Sequence, residues 1–382
     1  MRSISRETVP QAPWGFPFTL FVVLVFLYNQ CSEVILMVDV AIIGATGYGG
    51  VELIRLLHRH PQVRLAYLHS ESYAGKRLRD VYPHLSWVST ELRPLDPEAV
   101  AKECSYALLS VPAGETMELA PKLLERGLRV VDVAPDYRLH DPALYPQWYN
   151  FEHTHPELLE EAVTGIPEWH REKIAAARLV AATGCYAAAA QLALMPLVAD
   201  GLIEPDDIVL DGKTGVSGAG RSSLKLDYHF PEADEDAAAY SVGGHRHAPE
   251  VIQALQALTS ARVSLSLTPH LVPMSRGILL TAYAKVARGT DAEALRASLA
   301  RRYDDEPFVH LLPPGVWPHT KWTAGTNHCF LAVGVDRISG RAIVVSVLDN
   351  LGKGMAGQMV QCLNVMMGVP ETTGLEAAAA YP

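Results

Sequence analysis

Apolar residues in the first half of this chain come in short blocks separated by polar or helix-patterned stretches. Val40-Ala-Ile-Ile runs into a glycine-rich turn, after which Val51, Ile54 and Leu57 recur at helical spacing. Val63–His69, Tyr106–Val111 and Arg129–Val133 read as further strands, with a helix over Glu118–Glu125. Arg178–Ala182 repeats the strand texture, and the alanine run from Ala187 is a strong helix former. Strand and helix signals alternating through residue 184 predict a doubly wound parallel α/β sheet. From about residue 207 the texture changes to longer β-rich runs, Ile208–Val216, Arg262–Thr268, Gly277–Val286 and Ala342–Leu348. These predict a second, α+β domain with a largely antiparallel sheet. A helix over Lys353–Met367 closes the chain.

The first turn carries chemistry as well as shape. Gly44, Gly47 and Gly50 stand at G-x-x-G-x-x-G spacing between a strand and a helix, the context of a dinucleotide-binding turn. Glycines there let the backbone approach a pyrophosphate, which rests on the helix N-terminus; an ordinary strand-to-helix turn is the plainer reading. The second strand ends in His69-Ser70, where an NAD-type ribose contact wants a carboxylate. Ser70, with Lys76 and Arg77 nearby, fits a 2′-phosphate and points to NADP, although Glu71 stands beside it. The expected organisation is a Rossmann-type NADP-binding domain over 37–184 and 347–382 and a second domain over 185–346, for which a family resemblance carried by motifs along the chain implies a catalytic and oligomerisation role.

Composition narrows the class. The 382 residues suffice for two domains with their own cores; 49% hydrophobic and 19% charged residues with a net charge of −10 describe a globular chain without a basic stripe for nucleic acid. Five scattered cysteines, at 31, 104, 185, 329 and 362, form no C-x-x-C pair, which argues against a disulfide scaffold or a structural zinc site. Phe16–Tyr28 is apolar but short for a membrane span, and no small-residue cleavage site follows it. Since the first strand starts just after Met37, residues 1–36 are expected to be an upstream extension, disordered or from a mis-assigned start, and the working protein a cytoplasmic enzyme without a membrane anchor.

Cys185 sits where the Arg178–Ala182 strand turns, through Gly184, into a helix. Unpaired N–H groups and the positive end of the dipole there would stabilise a thiolate and lower its pKa. A buried structural cysteine is the competing reading. Gly243-Gly-His-Arg-His places His245 and His247 around Arg246, a base and a cation together just before a helix start at Pro249-Glu250. A solvated polar turn or half of a metal site would show the same residues; no further ligand spacing accompanies them, so no metal is expected. The loop Lys213-Thr-Gly-Val-Ser-Gly-Ala-Gly-Arg is glycine-rich and polar, and Asp136-Tyr-Arg-Leu puts Arg138 at the end of the parallel sheet.

Eight motifs follow one another in order from Met37 onward: Gly44-Ala-Thr-Gly-Tyr-Gly-Gly, Asp136-Tyr-Arg-Leu, Gly165-Ile-Pro-Glu, Gly184-Cys-Tyr, Lys213-Thr-Gly-Val-Ser-Gly-Ala-Gly-Arg, Gly244-His-Arg-His-Ala-Pro-Glu, Pro269-His-Leu-Val-Pro-Met-Ser-Arg-Gly and Asp349-Asn-Leu-Gly-Lys-Gly-Met-Ala-Gly-Gln. In this the chain resembles the N-acetyl-γ-glutamyl-phosphate reductases of arginine biosynthesis, relatives of aspartate-semialdehyde dehydrogenase. The resemblance implies reduction of a small acyl phosphate by NADPH through a Cys185 thioester, in a homodimer or homotetramer. It implies Arg138 as holder of the departing phosphate, with Arg246, Lys213 and Arg276 completing the substrate site, and His245 and His247 as the acid/base pair. The glycine pair before His245 favours it over His247. The cofactor would rest on Gly44, Thr46, Gly47, Tyr48, Gly49, Ser70 and Pro112, with Ser217, Gly218, Gly220 and Asn350 bordering the nicotinamide half. Two departures touch the site rim: Ala182-Thr183 stands where the family has Asn-Pro, and Pro112-Ala113-Gly114 where it has Pro-His-Gly. They leave room for a related reductase acting on a carrier-protein-linked aminoadipyl or glutamyl phosphate. A non-catalytic dinucleotide-binding redox sensor would share the turn and the cysteine, but gives no reason for the histidine cluster.

Overall fold

The computed structural model describes residues 37–223 and 225–381; the expectation for residues 1–36 lies outside them. Among the described residues no helix is long and apolar enough to cross a membrane.

Seven parallel strands form the first sheet, in the order β3-β2-β1-β4-β5-β7-β6. They are β1 (Val38–Ile43), β2 (Val63–His69), β3 (Leu92–Arg93), β4 (Tyr106–Leu109), β5 (Arg129–Asp132), β6 (Val163–Gly165) and β7 (Leu179–Ala182). Strands buried on both faces read as continuous apolar runs, and consecutive residues here feed opposite cores. Ile42, Leu108 and Val131 pack with Leu53, Leu57, Met359 and Leu363 on one face. Ile43, Leu109 and Val130 pack with Leu119, Leu123 and Leu179 on the other. Met359 and Leu363 belong to the closing helix, Gly357–Met367, so the end of the chain returns to cover the first sheet. That helix is preceded by a π turn over Gly352–Ala356, where the sequence pattern alone predicts regular helix.

The second sheet has the order β12-β13-β14-β11-β8-β10-β9. Its strands are β8 (Ile208–Thr214), β9 (Ala238–Ala239), β10 (Leu265–Leu271), β11 (Ile278–Lys285), β12 (Val309–Leu311), β13 (Cys329–Val335) and β14 (Arg341–Leu348). The sheet is mixed: β8·β10 and β12·β13 pair in parallel, the other neighbours antiparallel. Period-two alternation is the same in either orientation, so the sequence pattern is silent on this point. The helix Ala292–Tyr303, unpredicted, turns only a thin stripe of Leu295, Leu299 and Tyr303 to the core.

One face of this sheet, with Ile208, Leu210, Leu280, Ala282 and Val344, is buried against the helix Cys185–Ala199. That helix is enclosed nearly all round, which is why it is alanine-rich and carries no polar face. The opposite face, with Val209, Leu279, Thr281, Tyr283, Ile343 and Val345, is half-exposed.

Candidate active site

Strand order places β1 between β2 and β4, the point at which the parallel sheet reverses direction and such sheets bind ligands. An open cleft of about 660 Å³ lies there, bordered by residues that follow β1, β2, β4, β5 and β7 and by the loops after β8 and β14.

The glycines of the first turn do different work. Gly44 has φ +90°, and a Cβ on it would strike Ser110 O at 2.1 Å; one on Gly50 would strike Gly44 O at 2.2 Å. Both are demanded by the fold. A Cβ on Gly47 would meet nothing nearer than 3.6 Å, so this position is open toward the cleft. Gly47 is the N-cap of the helix Tyr48–Leu57 and supplies no side-chain cap. The first N–H groups of the helix therefore keep their donors for an anion. Thr46, Gly47, Tyr48, Gly49 and Pro112 all line the cleft, a set that fits the pyrophosphate of a dinucleotide. Ser70 does not: it is buried, and its Oγ is 2.8 Å from Thr46 Oγ1.

Across the cleft, Cys185 is the first residue of its helix, and Gly184, the N-cap, again lacks a side-chain cap. His247 presses on this turn, its ring lying where a Cβ on Gly184 would sit, 2.4 Å from Nε2. Cys185, Arg138, Arg246 and His247 line the cleft together, and His245 does not. His245 Nδ1 instead accepts from the His247 N–H at 3.2 Å, and its ring packs edge-on against Tyr186 and Tyr240. Geometry thus reverses the preference for His245. Burial, reinforced by His245, Arg138 and Arg246, holds the His247 pKa well below its ordinary value. Burial and then Arg246 bring His245 down to about 4. Both imidazoles are neutral at pH 7, the state a base needs.

The helix terminus by itself predicts a depressed thiol pKa at Cys185, and burial acts in the opposite direction. Burial pushes the thiol up to about 11, against the pull of Arg138, the Tyr186 N–H and Arg246. Desolvation of the charged form outweighs the local dipole. A thiol so placed is activated by handing its proton to a neutral base at the moment of attack.

Glu250, to which the sequence pattern assigns only a helix start, ties the two walls together. Its Oε1 accepts from Arg138 Nη1 at 2.9 Å and its Oε2 from the Gly184 N–H at 2.9 Å. Arg138 also donates through Nε to Ala182 O at 3.0 Å and through Nη2 to Val133 O. With three nitrogens engaged, Arg138 is a fixed positive wall. Arg246, exposed in the cleft and without a side-chain partner among the described residues, is the cation free to grip an anion.

Asn350 bolts the glycine-rich loop in place: its Nδ2 donates to Ser217 Oγ at 3.0 Å and its Oδ1 accepts from the Gly277 N–H at 2.8 Å. Ser217, Gly218, Gly220 and Asn350 all border the cleft. Lys213 and Arg276 lie elsewhere. Lys213 pairs with Asp211 on the exposed face of β8. Arg276 joins Glu52 of the turn helix at 2.7 Å to Asp349 at 2.9 Å, a clamp between the two sheets' elements. Neither lines the cleft, so both expectations for substrate contact give way to structural pairing.

Known proteins resemble this chain over most of its length. Residues 39–177 match the family model of the semialdehyde dehydrogenase NAD-binding domain, and residues 185–350 that of the semialdehyde dehydrogenase dimerisation domain. The chain is 46% identical over 347 residues to an N-acetyl-γ-glutamyl-phosphate reductase of Moorella thermoacetica, covering 91% of this chain and 100% of the relative. It is 48% identical to the reductase of that name from Desulforudis audaxviator, with the same coverage. Among solved structures, aspartate semialdehyde dehydrogenase II of Vibrio cholerae superposes with a TM-score of 0.67 at 20% identity, covering 87% of this chain and 99% of that one. Aspartate semialdehyde dehydrogenase of Candida albicans, solved with NADP, gives 0.65 at 17% identity, covering 87% and 98%.

Proposed function

The chain belongs to the semialdehyde dehydrogenase family and, within it, to the N-acetyl-γ-glutamyl-phosphate reductases, and from that premise we propose how its residues divide the work. It is an oxidoreductase of arginine biosynthesis that binds a nicotinamide dinucleotide and reduces N-acetyl-γ-glutamyl phosphate to the semialdehyde with release of phosphate.

Cys185 is the nucleophile and His247 its base. The observation that carries this reading is the packing of the His247 ring on Gly184, immediately before Cys185, with both residues on the cleft. His247 takes the thiol proton as sulfur bonds to the acyl carbon, and phosphate leaves with the C–O electron pair toward Arg246 and the Arg138 wall. Free N–H groups at the start of the Cys185–Ala199 helix face the developing oxyanion. When bound, the reduced nicotinamide supplies the hydride that takes the acyl group to the aldehyde level. His247 then returns its proton to sulfur as the C–S bond breaks.

The cofactor preference we assign is NADP, in keeping with the cleft's having no carboxylate among the described residues that line it at the end of β2. Residues 37–184 and 347–382 form the cofactor domain and 185–346 the catalytic one, with the half-exposed face of the second sheet meeting a second copy of the chain. Four free cysteines among the described residues suit the reducing cytoplasm. The test is phosphate-dependent oxidation of N-acetylglutamate semialdehyde by NADP, run beside a carrier-linked glutamyl or aminoadipyl semialdehyde. Turnover of the free N-acetylated substrate, abolished in Cys185→Ser, is expected. Turnover of the carrier-linked substrate alone would transfer the chain to the related pathway.

A further inference from the structure

Beside Tyr73 on the cleft stands a cation that the catalytic scheme leaves unused. Arg221 follows the glycine-rich loop after β8, yet its guanidinium lies against the first domain. Nη1 donates to Thr46 O at 3.1 Å and to Tyr82 Oη at 2.5 Å. The guanidinium carbon sits 4.8 Å from the Tyr82 ring centroid and 5.8 Å from that of Tyr73. Among the described residues, Nε and Nη2 have no hydrogen-bond partner, and no carboxylate pairs with Arg221. Cation–π contacts and one pinned nitrogen hold the group, while the other edge of the fork is unclaimed among the described residues.

The neighbours fix what that edge can meet. In doubly wound sheets the ribose 2′ position comes to the carboxyl end of the second strand. Here the chain leaves β2 through Ser70, and Ser72 and Tyr73 then line the cleft beside Arg221 and Ser222. Ser70 itself is committed to Thr46. Glu71, the acidic group at this strand end, is 3.6 Å from His69 Nε2 and does not line the cleft. Lys76 lies over the Tyr73 ring at 5.5 Å but does not line the cleft either.

We infer that Arg221, assisted by the Ser72 and Ser222 hydroxyls, recognises the 2′-phosphate of the cofactor's adenosine half and sets its preference for NADP over NAD. This rests on the NADP reading given above. A planar fork with a free edge matches a phosphate bidentately, and the contacts with Tyr82 and Tyr73 pre-organise it. The determinant comes from the catalytic domain, on the loop whose Ser217 is bolted by Asn350, so a 2′-phosphate also draws that loop onto the cofactor turn.

The test is calorimetric titration of the full chain with adenosine 2′,5′-bisphosphate and with 5′-AMP, which differ only in the 2′-phosphate. Wild type should bind the bisphosphate more tightly. Arg221→Gln should weaken the bisphosphate by about 30-fold or more, the worth of charge-assisted hydrogen bonds, and change 5′-AMP by less than about 3-fold; Arg221→Lys should fall between. Tyr82→Phe, which removes the anchoring hydroxyl but keeps the guanidinium, should retain most of the discrimination and so separates loss of the charge from loosening of the turn. If wild type binds both ligands alike, the NADP reading falls and this inference with it. Discrimination that survives in Arg221→Gln, or equal loss of both ligands, overturns the role of Arg221 while leaving NADP in place.

Discussion

Alanine at position 354 would press on Cys185. Gly354 lies in the π turn, buried against the start of the Cys185–Ala199 helix. A Cβ there would stand 2.7 Å from Cys185 Cβ, 3.2 Å from Cys185 Cα and 3.2 Å from Asp349 O. Carbon atoms pack comfortably at about 3.5 Å or more, so about 0.8 Å must be found. None of the three atoms is the end of a flexible side chain. The π turn cannot retreat: a Cβ on Gly352 would already strike Thr326 O at 1.9 Å, and Lys353 is buried with its Nζ 2.6 Å from both Glu168 Oε1 and Gln361 Oε1. The shift therefore falls on Cys185. Overpacking of this kind costs about 1–3 kcal/mol, which a domain of ordinary stability survives. A displacement approaching 1 Å at a reacting atom costs about 100-fold in rate. Gly354→Ala should thus stay folded, with a modestly lower urea midpoint, and lose about two orders of magnitude in kcat with KM little changed. Gly334→Ala is the control, since its nearest contact would be an ordinary 3.6 Å to Trp317. A kcat for Gly354→Ala within threefold of wild type would show that Cys185 is not held where the chemistry needs it.

Other expectations follow from the same geometry. Iodoacetamide alkylation of Cys185 in the ligand-free enzyme should rise with pH toward about 11, where burial places the thiol; a plateau below pH 8 would contradict a protonated resting thiol. His247→Asn should lower kcat by at least about 100-fold, the usual worth of a general base, and His245→Asn by much less; the reverse order, measured by steady-state kinetics, would return the role to His245. Glu250→Gln should weaken the Arg138 wall and reduce kcat without abolishing cofactor binding, which fluorescence titration with the nucleotide checks. Burial by itself would raise the Glu52 carboxyl, but hydrogen bonds from Arg55 and Arg276 bring it below its ordinary 4.5. A carboxyl lowered on folding contributes stability above about pH 4.5 that is lost as pH falls through the folded value. Arg276→Met should therefore destabilise by about 1–3 kcal/mol at pH 7, between the worth of an exposed and a buried pair, and flatten the loss below pH 4.5; unfolding curves that keep the wild-type pH dependence would count against the clamp.

Much of this protein is local information. The apolar blocks at Val40–Ile43, Tyr106–Leu109 and Leu179–Ala182, each meeting a glycine or a helix signal, determine strands and turns through short-range sterics and burial, and β2 is found at the limits its sequence pattern sets. Gly47 at an uncapped helix start and Cys185 at another are legible for the same reason, because a helix terminus is made by its own few residues. Tertiary structure alone decided which partner each charge finds. Arg276 and Lys213 look in sequence like anion-binding cations, but carboxylates from distant or neighbouring positions claim them. Glu250 looks like a helix start, and becomes the bridge between Arg138 and Gly184 only when a helix from the second half of the chain packs beneath the Gly184-Cys185 turn. The same packing sets the Cys185 thiol, for a helix dipole can be read from sequence whereas the extent of burial opposing it cannot. His247 rather than His245, and Arg221 rather than Ser70, line the cleft for one reason: proximity to it depends on how two distant segments cross, and no spacing along the chain encodes that distance.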